Sequence, residues 1–160
     1  MSVNEITDQE RARFLELQQM SFELARSGDT KTLESMIKAG MDANLTNTKG
    51  NSLLMLAAYN GNFETAKMLV ENKADVNSVN DQGHSIIAGV AFKGYLDIVK
   101  LLIENGAVLD NRLSKSPIMF ASMFGRVEVV EYLKSIEEKS FKNRVFSLIA
   151  QFVGLFKKKN

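Results

Sequence analysis

Cysteine is absent from the 160 residues. This excludes a disulfide staple, a thiolate nucleophile and a cysteine-held zinc or iron–sulfur centre, and it fits a reducing compartment. Histidine occurs once, at His84, which leaves no two-histidine metal site and one candidate imidazole base. Proline also occurs once, at Pro117. Neither sign of charge is in excess: 20 basic residues face 19 acidic ones, so the chain as a whole has no general attraction for nucleic acid. No run reaches the roughly 18 apolar residues that a membrane-spanning helix needs. The start, Met1 to Asp8, carries acid where a secretory leader carries base, and no apolar stretch follows, so a cytoplasmic protein is expected.

What is present is globular in character. Apolar residues make up 45% and charged residues 24%, enough for one domain with a core of its own. The charge is unevenly placed: residues 137–160 carry a net +4 and residues 1–136 a net −3. The tail is chemically distinct from the body.

The chain repeats itself. Asn51–Gly61 reads NSLLMLAAYNG, His84–Gly94 reads HSIIAGVAFKG and Lys115–Gly125 reads KSPIMFASMFG, each with serine second and glycine last. Behind each glycine comes a second apolar–polar stretch: NFETAKMLVENKADVN, YLDIVKLLIENGAVLD and RVEVVEYLKSIEE. A degenerate copy precedes them, FELARSG followed by DTKTLESMIKAGMDAN. Gly28, Gly61 and Gly94 are 33 residues apart, and Gly125 follows after 31, a two-residue deletion in the last connecting loop. Phe63, Ala66, Leu69 and Val70 recur at helical spacing, as do Leu96, Val99, Leu102 and Ile103. Helices this short are marginal alone and must gain stability by stacking on neighbouring copies. Ser52, Ser85 and Ser116 stand where a hydroxyl caps the first helix of a unit, Pro117 suits a first helical turn, and Gly40, Gly61, Gly94, Gly106 and Gly125 stand where helices end.

Residues 20–136 resemble the ankyrin repeat, whose unit is a β-turn finger followed by two antiparallel helices. The resemblance implies an all-α ankyrin-repeat solenoid of four units, the first degenerate, with residues 1–19 as an N-terminal capping helix segment and 137–160 as a C-terminal amphipathic helix with a basic tail. The family's threonine–proline–leucine–histidine start is never intact: Met55, Ala88 and Met119 occupy the histidine position, so the usual hydrogen bonds between units are expected to be missing. The loop after the second helix is best kept as Lys73-Ala74-Asp75-Val76-Asn77 and weakens to Gly106-Ala107-Val108-Leu109-Asp110.

The same resemblance implies function. Ankyrin proteins bind other proteins in a concave groove, so the chain is expected to be a non-enzymatic, monomeric interaction module with a protein partner, no nucleic acid and no cofactor. Tyr59 and Phe92 hold one variable slot that faces the groove, followed by Asn60 and Lys93. Met123 and Phe124 hold it in the last unit, and Arg26 in the first. Large side chains in such a row suit a protein-binding surface, the alternative being that they pack against the fingers. Thr48, Lys49, Asn51, Asp81, Gln82, His84, Arg112 and Lys115, on the fingers, supply a polar rim.

Outside the repeats, Thr7-Asp8-Gln9-Glu10 has the form of a capping box, opening a helix to Ser27. At the other end Phe141, Val145, Phe146, Leu148, Ile149, Phe152, Val153, Leu155 and Phe156 form a broad apolar band at helical spacing, followed by Lys157, Lys158 and Lys159. One reading is a helix folded onto the last repeat. The other is a contact surface of Phe146, Ile149, Phe152, Val153, Phe156 and the three lysines for a partner's groove or a membrane, the chain then being a peripheral membrane adaptor. His84 reads as a solvated or partner-facing residue, and Asp75, Asp81, Glu104, Asp110 and Glu131 have no metal-loop spacing. The lysine- and asparagine-rich composition looks bacterial, and some small bacterial ankyrin proteins accompany catalases or a haem pathway, an accessory role that the resemblance also admits.

Overall fold

Each sequence repeat becomes a pair of antiparallel helices. The computed structural model describes residues 7–109 and 116–157, with side chains as far as Leu148. The pairs are Asp8–Ser27 (α1) with Thr30–Lys38 (α2), Leu53–Tyr59 (α3) with Phe63–Glu71 (α4), Ile86–Lys93 (α5) with Leu96–Glu104 (α6), and Pro117–Met123 (α7) with Val127–Lys157 (α8). First helices stack on first helices and second on second, which gives two helical layers in an all-α solenoid. The only extended pairing among the described residues is one antiparallel bridge at the base of each of two fingers, Thr46 with Ser52 and Val79 with Ser85.

The starts of the helices follow from local chemistry. Thr7 Oγ1 accepts from the Glu10 amide at 3.2 Å while Glu10 accepts from the Thr7 amide at 2.8 Å, a complete capping box. These bonds from Thr7, the backbone one foremost, hold the Glu10 carboxyl below its ordinary range. Asp29 caps α2 through the Thr32 amide, and the Thr32 hydroxyl and amide likewise lower its pKa. Ser52 accepts from the Met55 amide at 3.1 Å, and Ser85 from the Ala88 amide at 3.3 Å. Ser116 is a correction. It holds the same position, but its hydroxyl makes no capping bond, although Met119 keeps the amide that such a cap would meet; Pro117, at the first helical position, has no amide of its own to satisfy.

The core lies between the layers. Leu53, Leu54, Ile86, Ile87 and Val90 fill the inner layer and Leu33, Leu69, Ile98, Leu102 and Leu133 the outer, all buried. Each is worth ~1.5–3 kcal/mol relative to exposure, which isolated hairpins have no surface to realise. Buried Ala25, Ala57, Ala58, Ala91 and Ala121 let the first helices approach closely.

The units are joined by hydrogen bonds that the histidine pattern does not foreshadow. Asn44 donates to the Lys73 carbonyl at 3.3 Å and accepts from the Asp75 amide at 2.8 Å. One period later, Asn77 donates to the Gly106 carbonyl at 3.0 Å and accepts from the Val108 amide at 2.8 Å. Thr30 meets Thr65 at 2.7 Å and Ser52 meets Ser78 at 3.0 Å.

A further link closes the C-terminal ends of the first helices. Gly28, Gly61 and Gly94 have φ of 80°, 78° and 86°, and each is covered by the residue that follows the next unit's glycine. Asn62 lies over Gly28 and donates to the carbonyls of Ala25 and Arg26 at 3.0 and 2.9 Å. The Tyr95 ring lies over Gly61, and Arg126 lies over Gly94 and donates to the Phe92 carbonyl at 3.0 Å. A Cβ on these glycines would stand 2.8, 2.9 and 2.7 Å from the covering side chain.

The two ends of the array are unlike. At the N-terminus one helix, α1, runs from the capping box at Thr7 to Ser27, as the sequence leads one to expect, and it is exposed along its first three turns. At the other end α8 runs without interruption from the last unit through residue 157, and residues 137–148 are exposed throughout. That stretch is not folded onto the last repeat. Met119, Met123, Phe124 and Val127 are likewise exposed at this end of the array.

Candidate functional site

The fingers and the first helices enclose two adjoining clefts, of about 490 and 680 Å³. Lys49, Asn51, Leu56 and Tyr59 line both, so they form the divide between them.

Finger shape is set by one asparagine in each. Asn47 Oδ1 accepts from the amides of Lys49 and Asn51 at 3.0 and 3.1 Å, and Asn80 Oδ1 accepts from those of Gln82 and His84 at 3.1 and 3.0 Å. Asn80 Nδ2 also donates to Asn51 Oδ1 at 2.9 Å, and the Asp81 amide donates to the Lys49 carbonyl at 3.2 Å, which fixes one finger against the next. Gly50 has φ 71° and lies against Asp81, where a side chain would collide. The polar wall is therefore held by its own asparagine side chains and one backbone bond between the fingers before any ligand arrives.

On the helix side the rings form a row. Tyr59 and Phe92 lie parallel, 6.5 Å between centroids with an interplanar angle of 2°, and Phe124 meets Phe92 edge-on at 4.4 Å. Lys93 Nζ sits 4.6 Å from the Tyr59 ring centroid. Tyr59 has room to lie flat because the facing position on α5 is Gly89, whose Cβ would stand 3.2 Å from the ring. Tyr59 nonetheless remains 42% exposed, so the row is open to solvent.

The expected site residues divide accordingly. Arg26, Thr48 and Asn60 line the larger cleft, Gln82, His84 and Phe92 the smaller, and Lys49, Asn51 and Tyr59 both. Arg26 pairs with Glu23 on its own helix. Asp81 lies on the finger against Gly50, and Met123, 68% exposed, lines neither cleft. The row turns at Phe124, not Met123, as it reaches the last unit. Arg112, Lys115, Lys158 and Lys159 lie outside the described residues, as do the side chains of Ile149, Phe152, Val153, Phe156 and Lys157.

Sequence reasoning passes over Asn47 and Asn80, although an asparagine three residues before a glycine in both fingers is a visible signal. It also passes over Leu15, Gln18 and Gln19 of α1 and Phe120 of α7, which line the clefts from the ends. Among the described residues no group of three or more acidic, histidine or cysteine side chains is placed to hold a metal ion. No helix among them is long and apolar enough to cross a membrane.

Comparison with known proteins gives two findings. A family model of ankyrin repeats in three copies matches residues 22–112 and 72–144. A relative from Pseudomonas aeruginosa, named as an ankyrin repeat protein, is 51% identical over 39 residues. The aligned stretch is 24% of this chain and 23% of that relative.

Proposed function

The chain belongs to the ankyrin-repeat family, and from that premise we propose that it binds a segment of another protein in the groove between its fingers and first helices. Ankyrin repeats are in general protein-interaction modules, and the observation that carries the reading to this groove is the open pair of Tyr59 and Phe92, which line it beside a prefixed polar wall and which Phe124, outside both clefts, extends edge-on. Rings that are already positioned bury large area on binding at little cost in side-chain entropy, which is why aromatic anchors dominate binding energies. The wall supplies Asn51, Gln82 and His84 for hydrogen bonds, and Lys49 has no ion pair among the described residues. An apolar side chain of the partner would enter at the rings, with a polar or acidic group toward Lys49. Shape and surface, not turnover, constitute the mechanism.

Affinity capture with the wild-type chain, the Tyr59→Ala/Phe92→Ala variant and a chain cut after Lys139 tests this. The double variant should lose its protein partner by about 30-fold or more in affinity, the scale of losing a 2 kcal/mol anchor, while the cut chain keeps it. A partner held equally by the double variant, or lost only on truncation, refutes the groove.

A further inference from the structure

The strongest feature left unexplained by the groove is the part of α8 that runs past the array. Phe141, Phe146 and Leu148 are 67%, 74% and 61% exposed, and Val145 is exposed between them. Lys139, Lys142 and Arg144 are exposed on the same stretch. Leaving three large apolar side chains in water within eight residues costs free energy unless something covers them. The array does not, because nothing stops the helix: no glycine or proline occurs between Val127 and Val153, and residues 137–148 stay clear of the last repeat.

We propose that the extension of α8 docks the protein on an anionic lipid bilayer, lying in the plane of the headgroups. Two observations select this occupant over a second copy of the chain. The first is width. Phe141, Val145 and Leu148 are spaced by four and three residues, a seam that a partner helix would cover, but Phe146 stands about 100° around the helix from Val145. The apolar face is thus broader than a two-helix seam and suits a continuous apolar medium. The second is charge. Arg144 borders this face and Lys142 lies within it, between Val145 and Phe146 around the helix, where its long stem lets the ammonium reach the headgroups; residues 137–160 carry net +4, so two copies would bring like charges together, whereas anionic headgroups neutralise them. In sequence the apolar spacing continues to Phe152 and Phe156 and closes on Lys157, Lys158 and Lys159. From Phe141 to Phe156 the helix is about 24 Å long, a length that lies along a surface and does not cross it. Glu137 and Glu138, at the root, keep the negative side toward the array.

Sedimentation of the full chain with sucrose-loaded vesicles is the test. Wild type should pellet with vesicles containing phosphatidylglycerol and should bind at least tenfold more weakly to pure phosphatidylcholine or in high salt. Phe141→Ser/Phe146→Ser should lose at least tenfold in affinity with the array's thermal transition unchanged, since both residues are exposed. Lys142→Gln/Arg144→Gln, which leaves the apolar face intact, should lose about fivefold per charge removed. The proposal is overturned if wild type ignores phosphatidylglycerol vesicles, if both variants bind as wild type does, or if the segment proves instead to pair two copies, read as a dimer by sedimentation equilibrium that Phe141→Ser/Phe146→Ser dissociates.

Discussion

At the scale of single residues, the covered glycines are the most demanding positions in the molecule. Gly61 combines a φ of 78° with the Tyr95 ring directly above it. Gly61→Ala therefore meets both backbone strain of ~1–2 kcal/mol and a steric clash, and should lower stability in urea unfolding by at least that amount. Gly106, with φ 89° and nothing within 4 Å of an added Cβ, comes nearer to isolating the backbone part: Gly106→Ala should cost less than Gly61→Ala. The glycines themselves are legible in sequence because their spacing repeats. Their covers are not, because Asn62, Tyr95 and Arg126 do one job with three unrelated side chains. The groove row shows the same limit. Tyr59 and Phe92 stand out by register, yet the third ring is Phe124, one position further along, since contact depends on where α7 lies and not on alignment alone.

Among the helices, the caps divide two serines that look alike in sequence. Ser85→Ala removes a bond to the Ala88 amide and should cost about 1 kcal/mol, whereas Ser116→Ala removes none and should leave the melting temperature nearly unchanged. Acid acts on the first two helices. Glu10 and Asp29 are held below their unfolded pKa values, so the stability they add is fully present above those values and is lost as pH falls through the depressed ones. Circular dichroism of wild type and Asp29→Asn below the ordinary carboxylate range should converge, the variant having nothing further to lose at the start of α2 while Glu10 titrates alike in both. Helix existence and order are readable from periodicity and glycine spacing. The length of α8 is harder to read, because the apparent boundary after residue 136 marks a change of composition, not a stop signal, and α8 continues through it.

On the scale of the whole molecule, the array and its extension are energetically separate. Cutting the chain after Lys139 removes residues that contribute no burial among those described, so the array's thermal transition should shift by no more than the ~0.5 kcal/mol typical of surface changes. A larger shift would mean that the extension supports the fold. The cover over each glycine also has a direction: it always comes from the unit further along the chain, and Gly125 has nothing within 4 Å of an added Cβ. During synthesis, a newly emerged first helix thus stays unfinished until its successor leaves the ribosome, about one repeat later. Assembly is ratcheted in the order of translation, each unit sealing the one before it. Stalled chains in which Tyr95 is still inside the ribosome and slightly longer ones in which it has emerged should differ sharply in the protease resistance of α3.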